Sequence, residues 1–237
     1  MVLPRYIRAM ELTWLGHASF RLDTDSGTRI YVDPFLNGNP KCPEAETTPE
    51  RVDIIALTHG HGDHVGDTGE LARTHGCTVI APVELADWLQ IKHKLENVRD
   101  PNKGGTVEID GVRFTLTDAN HSSSNNDLEY MGEPCGIVVR AEGKSVYFAG
   151  DTTVFGDMQT LIARLYAPDV AVLPIGDNYT MGPDEASLAV ELLGVTRVVP
   201  CHWGTFPVLT GTPDALAEKV GSGVTVERIE PGDSVTI

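Results

Sequence analysis

Basic residues, aromatic residues and long apolar segments are all scarce in this sequence. Phe, Trp and Tyr make up 6% of the 237 residues, and 18 Lys and Arg stand against 34 Asp and Glu, which gives a formal net charge of −16 at pH 7. Binding to a phosphate backbone depends on clustered Lys and Arg, so nucleic acid is not expected as a partner. No apolar run approaches the roughly 20 residues that a membrane-spanning helix needs, so a membrane partner is not expected either.

Cysteine patterns and targeting signals are missing as well. The four cysteines form no C-x-x-C pair and are predicted to be mostly buried free thiols; they are Cys42, Cys77, Cys135 and Cys201. Residues 1–10 contain two arginines but no apolar core of signal-peptide length. We therefore predict a cytoplasmic protein in which residues 1–10 form a short N-terminal extension, with Met10 as an alternative start.

Alternating strand and helix patterns are present, and they indicate the α/β class. With 41% hydrophobic residues, the chain can bury a substantial core, and one domain over residues 1–237 is predicted. Strands are predicted near 11–15, 18–23, 28–33, 53–58, 78–81, 106–109 and 112–118, and in a second series near 135–141, 145–150, 169–174, 197–201, 224–229 and 233–236. Helices are predicted at 66–75, 83–93, 155–166, 183–193 and 213–221.

The densest chemical signal is the run His-Gly-His-Gly-Asp-His at residues 59–64, directly behind an apolar segment. Side chains two positions apart in an extended segment point the same way, so His59 and His61 can bind one metal ion together. A helix beginning near Asp63 would turn that carboxylate and His64 toward a second ion. Nitrogen and oxygen donors of this kind suit zinc, with manganese, nickel or iron as alternatives.

Three further candidate ligands each follow a predicted strand, where a rigid sheet can hold a side chain at the edge of a cleft. They are His121, Asp151 and His202. Together with the 59–64 run they make five histidines and two aspartates. This set is sufficient for two divalent metal ions that share one carboxylate.

These motifs resemble the metallo-β-lactamase superfamily, and within it a branch of metal-dependent hydrolases similar to the L-ascorbate-6-phosphate lactonases. The resemblance is carried by residues 14–20, 33–35, 57–67, 119–123, 148–152, 173–183 and 200–206. It implies a four-layer αββα sandwich. It also implies that His59, His61 and His121 bind the first metal, that Asp63, His64 and His202 bind the second, and that Asp151 bridges the two.

The implied activity is hydrolysis of a small ester, lactone or related acyl substrate by a hydroxide that bridges two metal ions. Asp63 and Asp151 are the predicted catalytic carboxylates, with Asp63 placed to orient or pass a proton. Three alternatives stay open: a phosphodiesterase, an iron-dependent redox enzyme, and a non-catalytic metal-binding regulator. Homo-oligomerisation is left open as well.

Several other residues are predicted to support this site. Asp33 ends a predicted strand and is expected to orient a metal-bound imidazole; His17 is expected to serve the same purpose, or to be structural. Substrate contacts are predicted for Ser122, Asn178, Tyr179 and Trp203. No unused His–Asp pair remains to activate Ser122 as a nucleophile.

The segments expected to rim the cleft contain no Lys or Arg; they are 59–66, 119–134, 174–183 and 202–212. Phosphate recognition normally uses Arg or Lys. We therefore predict a small, polar substrate that is not recognised chiefly through a phosphate. Lys41, or the basic stretch from Lys92 to Lys103, would overturn this prediction by folding over the cleft.

Overall fold

The computed structural model describes residues 10–237, so the predicted N-terminal extension lies outside the described residues apart from Met10. Fourteen strands are present in this part of the chain: β1 Glu11–Trp14, β2 Phe20–Asp23, β3 Arg29–Val32, β4 Ile54–Ala56, β5 Thr78–Ile80, β6 Val98–Arg99, β7 Thr106–Ile109, β8 Val112–Asp118, β9 Cys135–Ala141, β10 Lys144–Phe148, β11 Val170–Pro174, β12 Arg197–Cys201, β13 Thr225–Val226 and β14 Ser234–Thr236. The helices are α1 Gly62–Val65, α2 Thr68–His75, α3 Val83–His93, α4 Pro183–Leu193 and α5 Pro213–Ala217, with a 3-10 turn at Glu44–Glu46 and a π-helix at Met158–Tyr166.

The strands form two mixed sheets of seven strands each. The first sheet has the order β14-β1-β2-β3-β4-β5-β6, and the second has the order β13-β12-β11-β10-β9-β8-β7. In each sheet one half pairs antiparallel and the other half parallel. The parallel halves place the carboxyl ends of several strands at one edge, where loops can build a site.

Three apolar clusters define four layers. One cluster lies between the sheets and joins residues of both, such as Phe20 and Phe148, whose ring centroids are 5.8 Å apart. A second cluster packs α2 and α3 against the outer face of the first sheet, and a third packs the π-helix, α4 and α5 against the second sheet. The predicted αββα sandwich is confirmed.

The two predicted strand series do not coincide with the two sheets. β7 and β8 belong to the second sheet although they come early in the chain, while β14, at the C-terminal end, pairs with β1 in the first sheet. Strand order depends on long-range pairing, which local periodicity does not encode. The sequence patterns also missed β6, which has two residues and borders only β5.

The helix predicted at 66–75 was wrong at its start. Gly66 has a φ of 42° and separates α1 from α2, and a side chain there would collide with the backbone of Pro34 and Phe35. The chain must turn at this glycine to seat the 59–64 run against the end of β3. The helix predicted at 213–221 ends earlier, at Ala217, and the strand predicted at 224–229 is reduced to β13.

A hairpin turn and a helix cap both follow from short local sequences. Asp110 and Gly111 both have positive φ values and connect β7 to β8 as a tight hairpin. The Thr212 side chain accepts a hydrogen bond from the Ala215 backbone N–H at 3.2 Å, which caps the start of α5. In the described part of the chain, no helix has both the length and the apolar character needed to cross a membrane.

Candidate metal centre

Four of the predicted metal ligands follow strands, at one edge of the two sheets. His59 follows β4, His121 follows β8, Asp151 follows β10 and His202 follows β12. The short helix α1 begins at Gly62, after the extended residue His61, and carries Asp63 and His64. The predicted change from extended chain to helix within the 59–64 run is therefore present.

Four of these side chains form what we call the first cluster: His59, His61, His121 and Asp151. Each offers one potential ligand atom, and the four atoms lie within 4.8 Å of one another. His59 Nε2 is 2.9 Å from His61 Nδ1. His61 and His121 are half-buried, so this cluster is open to solvent on one side.

The second cluster consists of His17, Asp63, His64 and His202, whose potential ligand atoms also lie within 4.8 Å of one another. All three of its histidines are buried. His17 comes from the turn between β1 and β2 and places its Nε2 3.0 Å from Asp63 Oδ2. Sequence reasoning foresaw a supporting role for His17, and the structure brings it within ligand distance of the second cluster.

Asp151 lies between the two clusters. Its Oδ2 is 3.5 Å from His121 Nε2 of the first cluster, and 3.3 Å and 3.2 Å from His64 Nε2 and His202 Nε2 of the second. One carboxylate oxygen thus contacts imidazole nitrogens from both sides. This is the placement that a shared ligand requires.

Asp33 supports both clusters from behind. Its Oδ2 lies 2.7 Å from His64 Nδ1 and accepts a 2.6 Å hydrogen bond from the Thr58 hydroxyl. Thr58 Oγ1 is in turn 3.0 Å from His59 Nδ1, and the Thr58 backbone N–H donates to Asp33 Oδ1 at 2.8 Å. Such contacts orient an imidazole toward a metal. No sequence pattern marked Thr58 as a member of this network.

His17 has further hydrogen-bond partners in β1 and in the segment that begins at His202. Its Nδ1 is 3.0 Å from Thr205 Oγ1, and its backbone oxygen accepts hydrogen bonds from the Trp14 indole and the His202 backbone N–H, both at 2.9 Å. These bonds tie the two sheets together at the site. Thr205 is a further residue that sequence reasoning did not single out.

The charges of the site suit metal binding. Burial lowers the pKa values of His59, His61 and His121, so these imidazoles are neutral at pH 7 and can offer lone pairs. Burial also acts against charge on His64, but the carboxylates of Asp151 and Asp33 outweigh it and raise the pKa of His64 well above its usual value.

Asp151 and Asp63, the aspartates of the two clusters, carry negative charge at neutral pH. Burial opposes ionisation of Asp151, but the adjacent His202 and His64 hold its pKa well below the usual value. Burial likewise opposes ionisation of Asp63, but the hydrogen bond with His17 and the charges of His64 and His17 together lower the pKa of Asp63.

Unpartnered atoms provide the test of whether these residues fit a metal. Among the described residues, seven buried side-chain nitrogen and oxygen atoms have no hydrogen-bond partner, and three of them are His64 Nε2, Asp151 Oδ1 and His202 Nδ1. Buried polar atoms are normally satisfied. Imidazole nitrogens and carboxylate oxygens in two adjoining groups fit divalent ions such as zinc, manganese, nickel or iron.

Backbone strain is concentrated at the same site. Of the ten non-glycine residues with positive φ, five lie in or beside it: His17, Asp33, Asp177, Asn178 and His202. Each such residue costs about 1–3 kcal/mol and persists only where surrounding contacts enforce it. The ligand loops are therefore held in conformations that their own preferences disfavour.

The four residues predicted to contact substrate differ from one another in their distance from the clusters and in their exposure. Ser122 Oγ is 3.5 Å from His61 Nε2, beside the first cluster. Asn178 and Tyr179 are exposed on the loop at 176–182, which is tied to the site because the Met181 N–H donates to the Thr152 oxygen. Trp203 instead stacks on Trp14 at a centroid distance of 5.2 Å, which is the contact of a packing residue.

An aromatic side chain that sequence reasoning missed faces the second cluster. The Phe206 ring lies edge-on to His17 at a centroid distance of 5.4 Å and is 38% exposed. Phe35 contacts His17 in the same manner at 6.1 Å. Its place in the 200–206 segment that carries the family resemblance was the signal that could have identified Phe206.

The basic residues that could have entered the cleft are placed as follows. The Lys41 backbone lies against Gly16, next to His17, and its side chain is exposed. Lys103 pairs with Asp118 at 2.5 Å. The pKa of Glu129 is lowered first by a hydrogen bond from Asn125 and then by the charge of Lys92, so Lys92 lies near that carboxylate.

Comparison with known proteins gives a consistent result. A family model described as a beta-lactamase superfamily domain matches residues 28–203. The chain is similar to a UPF0173 metal-dependent hydrolase from Koribacter versatilis, with 44% identity over 232 residues, which are 96% of this chain and 98% of that protein.

Solved structures extend the comparison to three dimensions. Igni18, described as a novel metallo hydrolase from Ignicoccus hospitalis, has 36% identity and a TM-score of 0.85, covering 97% of this chain and 99% of Igni18. CmlA, a diiron β-hydroxylase from Streptomyces venezuelae, matches 97% of this chain and 54% of its own with a TM-score of 0.75. At 20% identity, the similarity to CmlA shows the fold alone.

Proposed function

Since the chain belongs to the metallo-β-lactamase superfamily, we propose that it is a metal-dependent hydrolase that cleaves a small ester, lactone or related acyl substrate at a centre of two divalent ions. The observation that carries this proposal is the position of Asp151, whose Oδ2 lies within 3.5 Å of histidine nitrogens from both clusters. A lactonase-like activity accords with the family resemblance.

In this proposal His59, His61 and His121 hold one ion, and Asp63, His64 and His202 hold the other. Asp151 serves both. Zinc is the preferred ion, with manganese, nickel or iron as alternatives. Two divalent ions bound by these residues would supply a water that is activated at neutral pH and would polarise the substrate carbonyl.

The chain's own residues position the reacting groups. Asp33 and Thr58 fix the rings of His64 and His59, so that the opposite nitrogens face the centre. His17 contacts only Oδ2 of Asp63. Besides holding the second ion, Asp63 is proposed to orient the nucleophile or to pass a proton to the leaving group.

The lining of the cleft supports a neutral, hydrogen-bonding substrate. Ser122, Asn178 and Tyr179 provide hydroxyl and amide groups, and Phe206 adds an aromatic face. None of the four rim segments contains Lys or Arg, so a phosphate would have few counter-charges other than the ions themselves.

A substrate panel tests the proposal. Protein reconstituted with zinc, manganese, nickel or iron is assayed on lactones, carboxylic esters and phosphodiesters, including matched lactones with and without a phosphate. We expect turnover of lactones or esters that a chelator abolishes and that the phosphate does not improve. Asp151→Ala should be inactive, whereas His75→Ala, which changes a histidine on α2 outside both clusters, should behave as the parent protein.

Each alternative predicts a different result in the same panel. Preferential cleavage of phosphodiesters would favour a phosphodiesterase. Oxygen consumption by the iron-loaded protein without hydrolysis would favour a redox enzyme. Stoichiometric metal binding without turnover of any substrate class would favour a regulator and would reject the hydrolase proposal.

A further inference from the structure

A surface cavity with basic walls lies at the end of the second sheet opposite the metal centre. We call it the basic pocket; its volume is about 470 Å³, and it is lined by Arg113, Arg140, Lys144, Tyr166, Glu142 and Asp169, among others. β8 runs from Arg113 beside the pocket to Asp118, a span of roughly 17 Å at 3.4 Å per residue. The metal ligand His121 follows three residues later, so the two sites are separate.

Two arginines face each other across neighbouring strands in this pocket. Arg113 of β8 and Arg140 of β9 are direct partners in the antiparallel register. Like charges directly opposite one another in a sheet are destabilising. The nearest carboxylate to Arg113 is Glu108, at 3.8 Å, and both of these side chains are more than half exposed, so the pair gives little compensation.

Arg140 has a donor that nothing in the described part of the chain satisfies. Its Nε is buried without a hydrogen-bond partner, and its guanidinium carbon lies 5.0 Å from the centroid of the Tyr166 ring. The aromatic face holds the guanidinium in place but does not supply an acceptor. Because this Nε is closed to solvent, a ligand in the pocket would meet the terminal nitrogens of the guanidinium rather than Nε.

The two acidic residues of the pocket accept hydrogen bonds from backbone N–H groups and a serine hydroxyl. Both carboxylate oxygens of Glu142 accept hydrogen bonds from the backbone N–H groups of Asp25 and Ser26, at 2.8 and 2.7 Å. Asp169 Oδ2 accepts from the backbone N–H and the hydroxyl of Ser145. Among the described residues, neither carboxylate forms an ion pair with Arg113 or Arg140, although each keeps its negative charge.

We propose that the basic pocket binds a small oxyanion, either a phosphate or a carboxylate group on a small molecule, independently of the metal centre. Arg113 and Arg140 present planar donor groups from the same face of the sheet, and such groups match these oxygens in a bidentate manner. The inference is separate from the proposed hydrolase function and stands if the substrate panel fails.

Site-resolved NMR of the metal-loaded protein tests this proposal. Zinc-loaded, ¹⁵N-labelled protein is titrated with inorganic phosphate at constant ionic strength, and succinate forms a second arm that distinguishes carboxylate from phosphate. We expect saturable shifts of the backbone amides of Gly143, Lys144 and Ser145 with at least one of the two anions. Phosphate bound to the metals would instead shift the amides of residues 59–64 and is thereby separated.

Variants decide whether the arginines are responsible. Arg140→Gln and Arg113→Gln should each weaken binding at the pocket by about tenfold or more, as expected for loss of a charged hydrogen bond. Arg51→Gln, which removes an exposed arginine paired with Asp53, should leave the affinity unchanged. Because Arg113 is 53% exposed, its variant should fold even if Arg140→Gln does not.

Two results would overturn the proposal. One is that chloride at the same ionic strength reproduces the shifts of residues 143–145, or that neither anion shifts them saturably. The other is that Arg113→Gln, and Arg140→Gln where it folds, bind the anion as tightly as the parent protein.

Discussion

The two clusters of the candidate metal centre differ in how they are held. In the first cluster, His61 and His121 are half-buried, and His61 has only Ser122 and His59 as side-chain hydrogen-bond neighbours among the described residues. In the second cluster all three histidines are buried, and Asp33 and Thr205 support His64 and His17. We infer that the first site exchanges metal and meets substrate more readily, whereas the second is the more rigid anchor.

The comparison shows that ligands which are adjacent in the sequence can be supported by residues from distant parts of the chain. The 59–64 run supplies two residues to each cluster, yet the residues that support those ligands come from β1, the end of β3 and the loop after β12. A preorganised site requires this support. The following predictions test the difference between the clusters, beginning with the largest effect.

Asp151→Ala should disable both metal sites and so remove the difference between the two clusters. Since Asp151 Oδ2 contacts histidines of both clusters, we expect loss of both ions or of their coupling, and a fall in kcat/KM of about a thousandfold. Elemental analysis together with kinetics on the best substrate measures this. Retention of two ions per chain with near-parent activity would show that the carboxylate is not shared.

Single-ligand variants should separate the clusters. His61→Ala should lower the metal content chiefly at the first site and His64→Ala chiefly at the second, so that each retains about one ion per chain. His59→Ala should resemble His61→Ala. Metal titration followed by calorimetry distinguishes the two sites, and simultaneous loss of both ions in every variant would instead indicate strongly cooperative binding.

Asp33→Asn should weaken the second site more than the first. The amide can still accept from Thr58, but it no longer offers a charged partner to His64, and such changes typically cost roughly 10- to 100-fold in metal affinity. Asp53→Asn is the matched control, because Asp53 accepts from the Arg29 N–H at the opposite end of β3. Equal losses in the two variants would indicate a general effect on folding.

Acidification should release the ion of the second cluster first. The pKa of His64 is raised by its carboxylate neighbours, whereas the pKa values of His59, His61 and His121 are lowered by burial. Below the pKa of His64 the metal competes with a proton, so second-site affinity should fall by about tenfold per pH unit while the first site is less affected. Metal titrations between pH 5 and about 8 measure this, and parallel loss at both sites would contradict it.

Ser122→Ala should have the smallest effect. The hydroxyl is 3.5 Å from His61 and has no activating base of its own, so we expect kcat/KM to change by less than about tenfold, the value of one hydrogen bond. Abolished turnover with both ions still bound, or a trapped acyl-serine, would show that a serine nucleophile takes part.

Much of the candidate site could be predicted because its signals are local. The spacing of the 59–64 run and the position of each remaining ligand directly after a strand are properties of neighbouring residues. Periodicity therefore located β7, β8, β9 and α4 with the bounds that the structure has. It did not locate the break at Gly66, because that turn is imposed by contact with Pro34 and Phe35, which lie far from it in the sequence.

The sequence by itself determined which side chains could bind metal and that the chain alternates strands with helices, since both depend on residue type and short-range spacing. Only the tertiary structure decided that His17 meets Asp63 across 46 positions, that Trp203 packs on Trp14, and that Arg113 faces Arg140. The physical reason is that strand register and packing between the sheets arise from contacts along the whole chain. No local pattern specifies which distant residues come together.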